Sequence, residues 1–287
     1  MKIIKDVCLC DYTTFKIGGL CRKLWFPEND DDVMLIWENA PDAFAYCIGN
    51  GSNLLINQKI KIENAICTRE LNKKIQNKNN GKYSIGAGVT LQSLIERLYE
   101  DEKGGIEYLY SVPGTVGGAT VMNAGRGREY GLSISDHIGR VKIFQEGRYR
   151  FLSKTECDFS YRHSLFQEMK NVLVLSIEAH FDNMPREEIE SKIEERKEIA
   201  KKQDTKFPNA GSIFKTCDYE IMTAIRERQE ESGPVVYSRK TANWLLNLGG
   251  GTYEDVRKRI DEAIEYHRIK KVPIELEIIE WTGEEHV

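Results

Sequence analysis

No stretch of this chain approaches the roughly 18 consecutive apolar residues of a membrane helix, so a spanning segment is not expected. The opening residues, MKIIKDVCLC, lack the longer apolar run and the small-residue cleavage site of a secretion signal. None of the seven cysteines forms a CxxC pair, and the five histidines show no HxxxH spacing. Such spacings support neither a zinc site nor a disulfide framework. The expectation is therefore no metal, and reduced, mostly buried thiols in a cytoplasmic protein. A broad basic stripe is missing too: 41 basic against 45 acidic residues leave a net charge of −4. That disfavours nucleic acid as a partner but leaves room for a local anion pocket. No internal repeat is visible.

What is present is an ordinary globular mixture: 287 residues, 40% hydrophobic, 30% charged and 9% aromatic. At roughly 100–200 residues per domain, this length predicts about two domains. The apolar run at 44–48, the Gly/Asn-rich residues 49–53 and Leu54, Leu55 and Ile56 read as strand, tight loop, strand. Residues 72–81 read as an exposed turn or hairpin tip. After a strand at 83–86, Thr90 is a candidate cap, and Leu91, Leu94, Ile95 and Leu98 fall on one helical stripe. Residues 141–144 and 148–152 flank a hairpin turn, and 172–181 is apolar enough for a central strand. Residues 185–203 predict a charged helix with Ile189, Ile193 and Ile199 as its thin apolar side. A helix over 253–267 starts with a capping-box pattern at Thr252 and Asp255, and a final strand is expected over 274–280.

Three glycine-rich segments could bring backbone amides to a phosphate or a ring. Gly49, Asn50, Gly51, Ser52, Asn53 and Leu54 form neither a Rossmann fingerprint nor a Walker loop, because a strand follows and no GK[ST] is present. Such a loop is either an anion-binding nest or a hairpin turn needing positive φ. Gly86, Ala87 and Gly88 follow a strand and precede a helix, yet the third glycine position is Leu91, so the dinucleotide signal is weak. The third segment runs from Ser111 through Pro113, Gly114, Thr115, Gly117 and Gly118 to Asn123 and Gly125. Four glycines across the twelve residues 114–125 exceed what a tight core turn requires, and they favour cofactor contact.

Taken together and in order, these segments resemble the UDP-N-acetylenolpyruvoylglucosamine reductase family. The matching pieces are TTFKIGG at 13–19, GNGSNLL at 49–55, GAG at 86–88, VPGTVGG at 112–118 and MNAG at 122–125. They continue with FSYRHS at 159–164, AGSIFK at 210–215, ANW at 242–244 with Asn247, and ELE at 275–277. The resemblance covers nearly the whole chain. It implies an α+β fold: an FAD-binding domain of the vanillyl-alcohol-oxidase/PCMH type over 1–184, made of two α+β subdomains (about 1–58 and 59–184). A smaller α+β substrate domain would follow over 185–287. It further implies that the first loop and the 113–118 segment hold the flavin, that NADPH is the hydride donor, and that the chain is the family's shorter type. The activity implied is reduction of an enolpyruvyl UDP-sugar in peptidoglycan precursor synthesis, by a protein expected to act as a monomer.

That chemistry assigns roles. Hydride addition to the enolpyruvyl group leaves an enolate, which needs positive charge where the negative charge builds. Arg162 fits, as a fixed cation that grips a carboxylate in a fork. Ser212 matches the family's proton donor, and Glu277 its catalytic carboxylate. Alternation over 274–278 would put Glu275 and Glu277 on one strand face and the aliphatics on the other. Tyr161 and Lys215 are the expected substrate contacts. The chain departs from the family at Thr241, at Thr216 and Cys217, and across 218–237 with its run Arg226, Glu227, Arg228, Gln229, Glu230, Glu231. Those departures motivate two alternatives: a flavin oxidoreductase with a diverged substrate, or a catalytically silent FAD- or nucleotide-binding homologue. The joint presence of Arg162, Ser212 and Glu277 argues against the second.

Overall fold

The computed structural model describes residues 1–229 and 233–283, so Glu230 and Glu231 lie outside the described residues. Two compact units emerge, each discontinuous in sequence. The first takes Met1–Lys5, Arg22–Asn50 and Glu63–Ile199; the second takes Asp6–Cys21, Gly51–Ile62 and the chain from Ala200 onward.

The first unit is built on a five-stranded antiparallel sheet ordered Arg148–Ser153, Ile138–Gln145, Val172–His180, Lys82–Gly86, Ile75–Asn77. Val172–His180 is the middle strand, as its apolar run predicts, and residues 78–81 form the turn before Lys82–Gly86. The helix Leu91–Glu100 starts where Thr90 accepts a hydrogen bond from Ser93 N, and Leu91, Leu94, Ile95 and Leu98 are all buried. Helix Arg186–Lys201 buries Ile189, and its Ile193 packs against this core.

The run at 44–48 is only partly strand. Pro41–Ala45 forms a 3-10 turn with Ala43 and Phe44 buried, and Cys47–Ile48 alone pairs, in parallel, with Ile62–Cys67. Apolarity here reflects packing: Phe44 sits 5.2 Å from the Phe144 ring and 5.4 Å from that of Trp37.

In the second unit, helix Tyr253–Lys270 opens with the expected capping box between Thr252 and Asp255. Its Val256, Ile260 and Ala263 pack with Ile213, Phe214, Met222, Ile225, Tyr237 and Leu245. Short strands complete the unit: Phe214–Thr216 with Glu275–Leu276, and Val235–Tyr237 with Leu245–Asn247, both antiparallel. Leu54–Ile56 pairs in parallel with Ile279–Trp281. The loop over 49–53 therefore does not close a hairpin, because Cys47–Ile48 and Leu54–Ile56 pair with different strands.

The single strand expected over 274–280 is two strands that change partners at Glu277. Its amide and that of Ile278 both reach Ile213 O, at 2.8 and 3.3 Å, which interrupts a regular ladder. Face alternation does not carry through the break: Glu275 is exposed, Glu277 half-buried and Ile278 buried.

The expectation of seven free thiols is corrected. Cys8 ends one strand, the 3-10 turn Leu9–Tyr12 folds the chain back, and Cys8 and Cys10 are joined in a disulfide with Cα atoms 5.2 Å apart. Spacing alone does not reveal this, because the turn brings the pair within reach. The other five cysteines lie outside this disulfide. Burial pushes the Cys47 thiol up to about 12 and those of Cys157 and Cys217 to about 11, so they stay protonated and unreactive at neutral pH. Thiol titration of the unfolded protein is expected to find five reactive groups before reduction and seven after. Seven without reductant would remove the bridge.

Candidate active site

In the first unit, the glycine-rich segment is fastened along the turn between strand Lys82–Gly86 and helix Leu91–Glu100. Gly117 N donates to Ala87 O (2.9 Å), Val116 N to Val89 O (2.8 Å) and Leu91 N to Gly114 O (3.1 Å). Thr115 is buried and caps the short helix Val116–Val121 through Gly118 N. A side chain at Gly117 would place its Cβ 2.9 Å from Ala87 Cβ, so that glycine serves packing. At Gly114 and Gly118 the nearest atoms would be at 3.4 and 3.6 Å, an ordinary contact distance. Packing does not demand glycine there, and Gly118 presents bare backbone to solvent. Pro113 is exposed beside it.

Gly49 belongs to the same place, since a Cβ there would lie 2.9 Å from Thr115 Oγ1. Arg69 donates to Gly49 O at 3.1 Å and Asn50 O at 3.3 Å, engaging both carbonyls. Asn123 is buried at φ 42°; it donates to Ser160 O (2.7 Å) and accepts from Ser135 N (3.3 Å). Its amide thus holds the loops together. Gly125 sits where a Cβ would meet Leu132 O at 2.1 Å. Tyr108 Oη and Ser111 Oγ are buried without a hydrogen-bond partner among the described residues. Two orphaned hydroxyls in the residues leading into the glycine segment fit a polar cofactor.

Tyr161 and Arg162 form the tip of a tight turn closed in both directions between Ser160 and His163, at 3.1 and 3.2 Å. Arg162 has φ 55°, which costs a non-glycine residue on the order of 1–3 kcal/mol unless its surroundings enforce it. They do: Gln167 donates to Arg162 O (3.1 Å) and, with Ser164, to Val121 O at the end of the short helix. The guanidinium lies 5.7 Å from the Tyr161 ring.

In the second unit, the remaining candidates lie along one hydrogen-bonded path. Gly51 has φ 61° and would strike Tyr12 O at 2.3 Å with a side chain; its own carbonyl accepts from Thr14 N (3.1 Å). Thr14 Oγ1 donates to Asn209 O (2.7 Å), and Asn209 Oδ1 accepts from Gly211 N (3.0 Å). Ser212 follows in a bridge to Trp244, and Asn243 clamps Phe214 through both N and O, at 3.0 and 2.8 Å. Ile213 O then takes the amide of Glu277, whose carbonyl accepts from Asn53 Nδ2 (2.9 Å). Glu277 thus donates a bond to the residue that follows Ser212. Lys215 pairs with Glu275 at 3.6 Å. Leu54 is a buried strand residue and Ser52 is half-buried.

Sequence reading missed Asn209, Arg69 and Tyr108 as site-building residues, and took Thr14, Asn243 and Ser111 only as members of motifs or segments. Asn209 carried a local signal, an Asn two residues ahead of the amide it caps. The others act across long sequence separations.

Comparison with known proteins follows the same outline. Residues 22–147 match the FAD binding domain model. The UDP-N-acetylenolpyruvoylglucosamine reductase of Carboxydothermus hydrogenoformans is 32% identical over 96% of this chain and 94% of its own. That of Caldicellulosiruptor saccharolyticus is also 32% identical, over 95% and 87%. The crystal structure of the reductase from Thermus caldophilus matches with a TM-score of 0.80 at 25% identity, covering 98% of this chain and 99% of that one. With likeness running nearly end to end through both units, the chain belongs to the UDP-N-acetylenolpyruvoylglucosamine reductase family.

Proposed function

We propose that this protein is an FAD-dependent oxidoreductase that uses NADPH to reduce the enolpyruvyl group of UDP-N-acetylglucosamine enolpyruvate, giving UDP-N-acetylmuramate for peptidoglycan precursors. The observation that carries the reading is the path joining Asn53, Glu277 and Ile213, which ties the backbone of Glu277 and of the residue after Ser212 to the Gly/Asn-rich loop. Likeness over the full length leaves the diverged-substrate and silent-homologue alternatives without support.

FAD, when bound, supplies the hydride chemistry. Amides of 49–54 and the backbone at 113–118, with Asn123 and Gly125 shaping the segment, are proposed to hold it. Arg162 is proposed to grip the substrate carboxylate and stabilise the enolate. Ser212 donates the proton to the carbon opposite; an unassisted hydroxyl is a poor acid, so the enolate charge itself must draw it out. Glu277 orients that step, while Tyr161 and Lys215 contact the UDP-sugar. We assign flavin binding to 1–184 and substrate binding to 185–287, and take the protein to work as a cytoplasmic monomer. No helix among the described residues is long and apolar enough to cross a membrane.

The purified protein should be yellow. Without oxygen, NADPH should bleach the flavin band and the enolpyruvyl UDP-sugar should restore it. Failure to bleach, or bleaching that this sugar does not reverse, would overturn the reading.

A further inference from the structure

The residues just after Gly125 carry a feature that the reduction chemistry leaves unused. Arg126 and Arg128 stand on a short excursion closed by Arg126 N donating to Leu132 O (3.0 Å) and by the bridge between Gly125 and Ser133. The Arg126 guanidinium lies 4.0 Å over the Tyr130 ring, and that of Arg128 4.6 Å over Tyr161, the ring that Arg162 also approaches. Helix Arg186–Lys201 adds Arg196, whose Nε is sealed from solvent and makes no hydrogen bond among the described residues. Burial, then repulsion from Arg126, holds its pKa below the ordinary arginine value. Glu195 pairs with Arg126 at 3.4 Å but is itself 60% exposed, so solvent weakens the compensation.

A chain of net charge −4 thus gathers guanidiniums into one patch of the first unit. Gathering like charges is unfavourable for folding. Two of them rest on aromatic faces, which fixes the plane of each fork at little entropic cost. Planar forks, each seated on a ring, suit a phosphate.

We propose that Arg126, Arg128 and Arg196 form a recognition site for a nucleotide phosphate, beyond the glycine segments proposed to hold the flavin. The reduction reading supplies two sources of that chemistry, the phosphate monoester of NADPH and the diphosphate of the UDP-sugar, and the proposal rests on it for those sources alone.

The test uses the flavin-loaded protein and its Arg128→Gln and Arg126→Gln/Arg128→Gln variants, titrated calorimetrically with adenosine 2′-monophosphate and with UDP. The dissociation constant for one probe should rise about tenfold per arginine removed, as expected for a charged hydrogen bond. Wild-type binding of that probe should weaken with salt. Loss for the adenosine phosphate, with a raised KM for NADPH and an unchanged KM for NADH, assigns the reductant. Loss for UDP, with a raised KM for the sugar nucleotide, assigns the substrate. Unchanged constants for both probes overturn the site. Flavin content and thermal midpoint report folding of each variant, and the exposed Arg128 provides the milder substitution. Wild-type protein that the enolpyruvyl sugar does not re-oxidise would sink the reduction reading, while the dissociation constants would still decide the arginine site.

Discussion

Ser212→Ala should leave NADPH-driven bleaching of the flavin at its wild-type rate and slow re-oxidation by the enolpyruvyl UDP-sugar by about 10²–10⁴-fold, the range for loss of a positioned proton donor. The separation of the two half-reactions follows from the assignment, because a proton is needed only when the substrate carbon is saturated. Ser212 Oγ makes no hydrogen bond among the described residues, so its removal deletes no structural bond, and stability should change by no more than about 0.5 kcal/mol. Stopped-flow absorbance resolves both steps. Re-oxidation at the wild-type rate would remove Ser212 as the donor, and equal slowing of both steps would point to general distortion.

The largest structural effect is expected at Gly86. A methyl group there would put Cβ 1.3 Å from Asn72 O, a backbone atom that no rotamer change can move. The surroundings resist adjustment. Gly86 N donates to Lys74 O (3.0 Å), Ala87 N donates to Leu175 O in the central strand (2.9 Å), and Asn72 is tied to Asp30 at 3.0 Å. Gly86→Ala should therefore cost more than about 4 kcal/mol, a large share of the roughly 5–15 kcal/mol that keeps a protein folded. The thermal midpoint should fall by about 10 °C or more, or soluble protein should be lost. A midpoint within about 2 °C of wild type would show that the strand end can yield. The same contact explains Gly86 and Gly88: a Cβ at Gly88 would lie 2.6 Å from Leu71 O. What reads in sequence as a weak dinucleotide signal is a close crossing of two backbones.

Local structure was legible wherever local rules suffice. The stripe of Leu91, Leu94, Ile95 and Leu98 behind the Thr90 cap, and the capping box of Thr252 and Asp255, depend on neighbours three or four residues away and appear as read. The middle strand was legible because a sheet interior demands a continuous apolar run. The run at 44–48 misled because burial of Phe44 requires only apolarity and permits a 3-10 turn as readily as a strand. The break at Glu277 was invisible, since its cause, the Ile213 carbonyl, lies 64 residues earlier in the chain. Cys8 and Cys10 show the same limit at short range, because spacing does not record how a turn folds back.

By itself the sequence determined the order of glycine-rich and polar motifs, hence the family, the flavin chemistry and a shortlist of reacting side chains. It also carried the caps and apolar periodicities that start each helix. Only the tertiary structure decided which glycines serve packing, as at Gly86 and Gly117, and which leaves open backbone, as at Gly118. It alone turned Asn209, Asn243 and Asn53 into the supports of Ser212 and Glu277, and brought Arg126 to Glu195, the neighbour of Arg196. The physical reason is range. Capping and periodicity act within a turn or two of chain, whereas a backbone clash, a buried amide clamp or a cluster of like charges exists only once distant segments meet.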